Sequence, residues 1–442
     1  MILVDTALEA REAAGKPIRV AMTGAGFMGH GLTNQIVNSI RGMQMVAIYN
    51  RNIARAIDCF QYAGLEPVEV ETQSALDAAL AAGRPAVTQD AMLLARSEHV
   101  DVIVETTGSV EFGAHVLLEA FKHGKHVVLL NAEIDATIGP ILQVYAAKHN
   151  VVLSACEGDE PGVQMNLVRW VRGLGLIPRV IGNIKGLQDP YRTPTTQKGF
   201  AEKWGQNPAM VTSFADGSKI SFEQAIVANA TGFVVKSRGM SRGLEYRGDV
   251  MAIGKLYDID EVRALGGIVD YVVGTPLTKV YVLAEHTDPK QQHYLNLYKM
   301  GEGPLYSFFT PYHLVHFEVP NAIARAVLFN DSVAKPLGGP IVEVCAVAKR
   351  DLKAGETLDD YGEYMTYGEA VNSDEMRSER YLPEGLVEGC RVLRDIAKDG
   401  LIRYDDVELP AGRLADRLRQ EQYAHFPAGA SSAVAGVTVG KA

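Results

Sequence analysis

Ile18-Arg19-Val20-Ala21-Met22-Thr23-Gly24-Ala25-Gly26-Phe27-Met28-Gly29 is the stretch on which the reading of the fold turns. Its first half is a short apolar run of strand type. Its second half is G-x-G-x-x-G, followed by a mixed polar and apolar stretch of helical type to about Arg41. Between a strand and a helix that pattern has a physical meaning. Gly24 permits the tight turn, Gly26 lets a pyrophosphate approach the backbone, and Gly29 lets helix pack on strand. Phe27 and Met28 then sit at the positive helix end. A dinucleotide is expected here. The next apolar run, Met45 to Tyr49, should end in Asp or Glu to bond an unmodified ribose, but it ends in Asn50-Arg51. A neutral amide and a guanidinium suit a 2′-phosphate, so the expected cofactor is NADPH. A solvated surface arginine is the plainer account of Arg51.

Outward from this motif, residues 1–155 alternate strand-like and helix-like segments, the pattern of a parallel sheet with crossover helices. Helices are expected near 74–82, 112–123 and 138–148, and strands at 99–105, 126–130 and 151–155. The turn Thr106-Thr107-Gly108-Ser109 falls at a strand's C-terminal end, where such folds place ligands, so Thr106, Thr107 and Gly108 are expected to touch the cofactor. An ordinary turn capped by Ser109 accounts for them equally well. From Cys156 to Pro340 the texture is loop-rich with fewer regular helices. Within it, 271–284 reads as β-rich and 308–319 as buried strand or core. A small β-rich module begins at Ile341. The expected class is α/β: a Rossmann domain (1–155), an α+β catalytic and oligomerisation domain (156–340), a β-rich C-terminal domain (341–426) and a disordered tail (427–442).

The composition bounds the function. At 442 residues the chain exceeds one ordinary core. A hydrophobic content of 47% with 22% charged residues is that of a soluble globular protein. The net charge of −10 speaks against a nucleic-acid partner. Cys59, Cys156, Cys345 and Cys390 stand far apart without a C-x-x-C pair, so reduced thiols are expected rather than a zinc site or a disulfide framework. The start lacks signal-peptide character, and no run approaches the roughly 18 apolar residues of a membrane span. A cytoplasmic protein with no membrane partner is expected.

Three segments together resemble the homoserine-dehydrogenase-like oxidoreductases. They are the glycine motif, Asn131-Ala132-Glu133 after the last core strands, and Ala215-Asp216-Gly217-Ser218-Lys219 opening a helix. The phrase Ala348-Lys349-Arg350-Asp351-Leu352-Lys353-Ala354-Gly355-Glu356-Thr357-Leu358 and the later Leu382-Pro383-Glu384-Gly385-Leu386 are similar to a SAF domain. The combination most resembles the 1-deoxy-D-xylulose 5-phosphate reductoisomerase-like proteins. That resemblance implies an NADPH-dependent reductoisomerase making 2-C-methyl-D-erythritol 4-phosphate, with a small phosphorylated sugar as substrate and a homodimer or homotetramer as the assembly. It also implies catalytic roles for Asp216, Lys219 and Glu133, and a place for Asn131 at the cofactor. Two departures stand out. Glu133 occupies the position of a lysine in homoserine dehydrogenases, and their Glu-Ala-x-Val-Gly-Gly stretch reads Cys156-Glu157-Gly158-Asp159-Glu160-Pro161-Gly162.

The remaining candidates come from residue chemistry. Glu157, Asp159 and Glu160 lie within four residues of each other and could supply hard oxygen ligands to Mg²⁺ or Mn²⁺. Complementing a helix dipole is their plainer role. Asp216 and Lys219 stand three apart and would share one helix face as a proton-passing pair, or as a mere surface ion pair. Lys185 and Arg192, in a basic stretch broken by Gly and Pro, suit a mobile loop closing on the substrate phosphate, although most such loops are simply solvated. His313 and His316 have H-x-x-H spacing, which in an apolar run is more often core or interface histidine than metal ligand. Two further functions fit the same residues: an NADP-dependent dehydrogenase of a sugar acid or related substrate, and a non-enzymatic NADP(H) sensor.

Overall fold

The computed structural model describes residues 4–242, 244–274 and 279–428. Seven strands form the first sheet: β1 (Ile18–Thr23), β2 (Met43–Tyr49), β3 (Val68–Glu69), β4 (Ala86–Thr88), β5 (Val102–Glu105), β6 (His126–Leu129) and β7 (Leu153–Ala155). Their order is β3-β4-β2-β1-β5-β6-β7, with every pair parallel. Helices α1 (Asp5–Ala13), α2 (Phe27–Ser39), α3 (Ile53–Tyr62), α4 (Gln73–Ala81), α5 (Ala91–Arg96), α6 (Val110–Lys122) and α7 (Ala132–Lys148) accompany them. Helices cover both faces of such a sheet, so β1 is buried throughout apart from Arg19. The chain builds first on one side of β1 and then on the other. The crevice at the C-terminal ends of β1 and β5 is therefore the topological switch point. The helix expected at 138–148 begins already at Ala132, because the Asn131 side chain accepts the Ile134 N–H at 3.1 Å and caps it there.

The second segment holds α8 (Glu160–Gly173), β8 (Ile177–Lys185), α9 (Pro194–Trp204), α10 (Pro208–Asp216), α11 (Ser218–Thr231), β9 (Glu245–Tyr246), α12 (Ile259–Ala264), β10 (Ile268–Gly274), β11 (Lys279–Glu285), α13 (Pro289–Leu297), β12 (Tyr306–Thr310) and α14 (Val315–Phe329). Its strands make a mixed sheet ordered β12-β11-β8-β10-β9. It is richer in helix than its sequence texture suggests. In α11 all fourteen residues are buried, so its apolar residues follow no one-sided stripe and the usual signal of a helix is missing. Of the buried strand or core expected over 308–319, Phe308 and Val319 do lie in the core, but the strand is much shorter. β12 ends at Thr310, where Pro311 has no N–H to continue the ladder, and Val315 opens α14 with Phe317 about half exposed.

The last segment pairs β13 (Val342–Ala348) with β14 (Thr366–Asn372) antiparallel, followed by α15 (Ser373–Ser378), the short pair β15 (Arg391–Val392) and β16 (Val407–Glu408), and α16 (Leu414–His425). α16 leaves this module and packs on α6 and α7. Glu111 accepts the Leu414 and Ala415 N–H groups at 2.9 and 2.8 Å, and buried Arg419 donates to the Thr137 carbonyl at 2.8 Å. One apolar core runs from β1 through α8, α11 and α14 into β11 and β13, so the three segments share it. Most of the expected disordered tail, residues 429–442, lies outside the described residues.

Candidate active site

The glycine motif forms an open cradle at the switch point. Gly24 has φ +101, and a Cβ there would fall 2.6 Å from Thr106 Oγ1. A Cβ on Gly29 would lie 3.1 Å from the Gly24 carbonyl and from Met22, which is the close helix-to-strand approach the motif provides. Gly26, the residue preceding α2, has nothing within 4 Å of a would-be Cβ. Phe27 is half exposed beside it, and no acid occupies the first turn of the helix. These features fit a dinucleotide pyrophosphate against the helix end. The Asn50 carboxamide braces the loop: its oxygen accepts the Ala25 N–H at 3.3 Å, and its nitrogen donates to the Asn52 carbonyl at 2.8 Å. Arg51 is exposed, and its guanidinium meets no carboxylate among the described residues.

The turn after β5 is knitted to its surroundings. Thr106 Oγ1 donates to the Thr23 carbonyl at 2.9 Å. Thr107 donates to Glu105 through both its N–H, at 2.9 Å, and its hydroxyl. Asn131 donates to the other Glu105 oxygen at 2.7 Å. Burial pushes Glu105 up to about 7 despite these donors. The two threonine hydroxyls brace the turn, and the Gly108 carbonyl accepts the Tyr361 hydroxyl at 3.1 Å.

Lys219 lies next to the sheet's C-terminal edge, in the first turn of the buried α11. Its ammonium is 3.5 Å from Glu133 Oε1 and 3.9 Å from Asp159 Oδ2. Burial lowers the affinity of this amine for its proton, but Glu133, Asp159 and Glu223 outweigh that and hold its pKa well above the ordinary value. A small cavity bordered by Asn131, Asp135, Cys156 and Asp159 adjoins it. Burial also pushes Asp135 up to about 7 and the Cys156 thiol well above its usual range.

Asp216 is not on the same face as Lys219. Gly217, at φ +100, ends α10 and starts α11, so the two side chains belong to different helices. Asp216 is instead paired with Lys349 of the C-terminal module at 2.9 Å, and it accepts the Ser218 N–H at 2.9 Å. The three carboxylates proposed as metal ligands are also separated. Glu157 pairs with the fully buried Arg325, Asp159 faces Lys219, and Glu160 pairs with Lys185. Each is charge-compensated by a cation, which a divalent ion would have to displace. Among the described residues no cluster of three His, Cys, Asp or Glu side chains could hold a metal. The residues present do not fit the expected Mg²⁺ or Mn²⁺.

The phosphate residues need a similar correction. Lys185, at the end of β8, is partly buried and paired with Glu160 and Glu223. Burial pulls its ammonium down, but the two carboxylates outweigh this and leave it raised. Arg192 donates to Asp189 at 3.0 Å. The supposed loop contains α9, which opens with a Thr193 capping box and Pro194. His313 Nε2 lies 3.6 Å from Glu160 Oε1, whereas His316 rides on α14 against Gly31 of α2, so the two histidines do not share a ligand. Sequence reading missed Glu105, Asp135, Glu223 and His313 as members of this cluster. Glu105 had a usable signal, being a carboxylate at the end of the otherwise apolar β5.

Comparison with known proteins follows the same outline. Residues 24–151 match the family model for the homoserine dehydrogenase NAD-binding domain, and residues 158–319 match that of the oxidoreductase DRL catalytic domain. A homoserine dehydrogenase of Pseudomonas aeruginosa is 26% identical over 170 residues, which are 36% of this chain and 36% of that protein. The aligned part thus spans about a third of the relative's length. Among solved structures, the homoserine dehydrogenase of Thiobacillus denitrificans superposes with a TM-score of 0.40 at 15% identity, covering 77% of this chain and 84% of that one. Apo scyllo-inositol dehydrogenase of Lactobacillus casei gives 0.41 at 12% identity, covering 72% and 90%. The two domain matches, the parallel sheet and the glycine cradle together give an NAD(P)-binding Rossmann domain joined to a domain similar to an oxidoreductase catalytic domain, an arrangement like that of the homoserine dehydrogenases.

Proposed function

We propose that the protein is an NADP(H)-dependent oxidoreductase that reduces the carbonyl of a small polyhydroxylated substrate, with Lys219 as proton donor. The observation that carries this is the Lys219 ammonium held between Glu133 and Asp159 on a wholly buried helix beside the nucleotide crevice. NADPH, held at Gly26 with its 2′-phosphate near Arg51, would supply hydride. Lys219, kept charged at neutral pH, polarises the accepting carbonyl oxygen and passes it a proton. Glu133 and Asp159 stabilise the charged amine, and its reprotonation runs through the adjoining carboxylates.

The finer proposal is rearrangement and reduction of 1-deoxy-D-xylulose 5-phosphate to 2-C-methyl-D-erythritol 4-phosphate. It is supported by the DRL catalytic-domain match over residues 158–319. A second reading, reduction of a sugar acid or related unphosphorylated substrate, is favoured by one observation: Lys185 and Arg192 already have carboxylate partners. NADPH oxidation with deoxyxylulose phosphate and a panel of ketoses and sugar acids separates the two. Turnover confined to the sugar phosphate supports the first reading, and turnover of the acids alone supports the second. Lys219→Ala should lower kcat at least about a hundredfold with KM little changed. A near-normal kcat would remove Lys219 from the chemistry.

A further inference from the structure

We propose that the C-terminal module is part of the active site, and that its Tyr361 is a positioning residue that sets the cofactor turn against the helix carrying Lys219. The proposal rests on the NADP(H) reading above. Neither domain match reaches this module, which begins beyond residue 319.

The module holds α11 at its start. Lys349 Nζ donates to Asp216 at 2.9 Å, and to the carbonyls of Arg192 and Glu363 at the same distance. The other Asp216 oxygen accepts the Ser218 N–H. From β14, the Gly368 N–H donates to the Ser218 hydroxyl at 2.9 Å, while the Ser221 hydroxyl donates to the Gly368 carbonyl at 3.1 Å. Ser218 and Ser221 flank Lys219, so the helix start cannot move without the module.

Tyr361 joins this anchored helix to the nucleotide side. It is only 7% exposed. Its ring meets Phe222 of α11 edge-on, with centroids 5.9 Å apart. Its hydroxyl donates to the Gly108 carbonyl at 3.1 Å. Gly108 has φ +74, and a Cβ there would lie 2.9 Å from that hydroxyl, so glycine is required for the approach. A dinucleotide laid from Gly26 across the β1/β5 crevice passes this turn with its nicotinamide half. One side chain therefore fixes the distance between that half and Lys219.

Tyr361→Phe keeps the ring on Phe222 and deletes only the hydroxyl. The measurements are affinities for NADPH and for adenosine 2′,5′-bisphosphate, which lacks the nicotinamide half, with the melting temperature and the kcat and KM of NADPH oxidation. NADPH should bind about three- to tenfold more weakly, the scale of one hydrogen bond. The bisphosphate should bind unchanged, and kcat should fall while the KM of the carbonyl substrate holds. Parallel losses for both nucleotides, or no loss for either, overturn the proposal. A parent chain that binds NADH in place of NADPH defeats only the phosphate preference, and the same comparison with NADH and AMP then decides on Tyr361. A parent chain that binds neither overturns both.

Discussion

Glu133 lies 3.5 Å from the Lys219 ammonium, and its carboxylate is the first of the charges that keep this buried amine protonated. Arg51 is the simplest residue to test. Charge-assisted contacts contribute roughly 1.5–3 kcal/mol. Arg51→Ala should therefore weaken NADPH binding by about one to two orders of magnitude and leave NADH nearly unchanged, as calorimetry would read. Equal losses would make it a plain surface charge. Glu105 gives a pH dependence of definite sign. Its folded pKa of about 7 lies above the ordinary 4.5. The folded state thus binds more protons between those values, and stability falls as pH rises through them. Denaturant unfolding at about pH 5 and pH 8 should show a smaller loss for Glu105→Gln than for the parent. An equal loss would mean that Thr107 and Asn131 keep the carboxylate ionised. The glycine motif was legible in the sequence because its tight turn and close helix packing act within a few residues. Tyr361 and Lys349 were not, because their partners lie 253 and 133 residues away.

Among the elements, α11 was the hardest to read, since a helix buried on every side has no stripe to betray it. The hinge before it went unrecognised for a related reason: Asp216 and Lys219 look like one helical turn unless Gly217 is given its left-handed conformation. Gly217→Ala has room for its methyl, with the nearest atom at 3.6 Å, so its cost is backbone strain. That is roughly 1–3 kcal/mol, and NADPH turnover should suffer more than NADPH binding. Chemical denaturation and steady-state kinetics together check this. The latch between α14 and the loop after β7 is stronger. Arg325 is fully buried and meets Glu157, Asp331 and Asn166. Removing one partner of a buried ion pair costs about 3–5 kcal/mol, so Arg325→Met should lower the melting temperature markedly, and adding Glu157→Gln should recover part of it. If Glu157 were instead a metal ligand, Arg325→Met would raise metal affinity.

Across the whole molecule, carboxylates that looked in sequence like a metal cluster are distributed among Arg325, Lys185 and Lys219. Only the fold reveals those cations, since each comes from another element. Dialysis against excess EDTA should therefore leave NADPH oxidation within about twofold of its starting rate. Loss of activity that Mg²⁺ restores would show that the carboxylates exchange partners during turnover. α16 has a consequence for biosynthesis. Its Gln422 accepts a backbone N–H from Ile141, 281 residues earlier, and its Arg419 pairs with Glu343 under the same helices. While the ribosome is still extending the chain, the nucleotide-binding domain lacks this cover and exposes apolar surface on α6 and α7. Domains generally fold as they emerge. Here the nucleotide-binding domain emerges well before α16, the helix that completes its cover from 281 residues beyond Ile141.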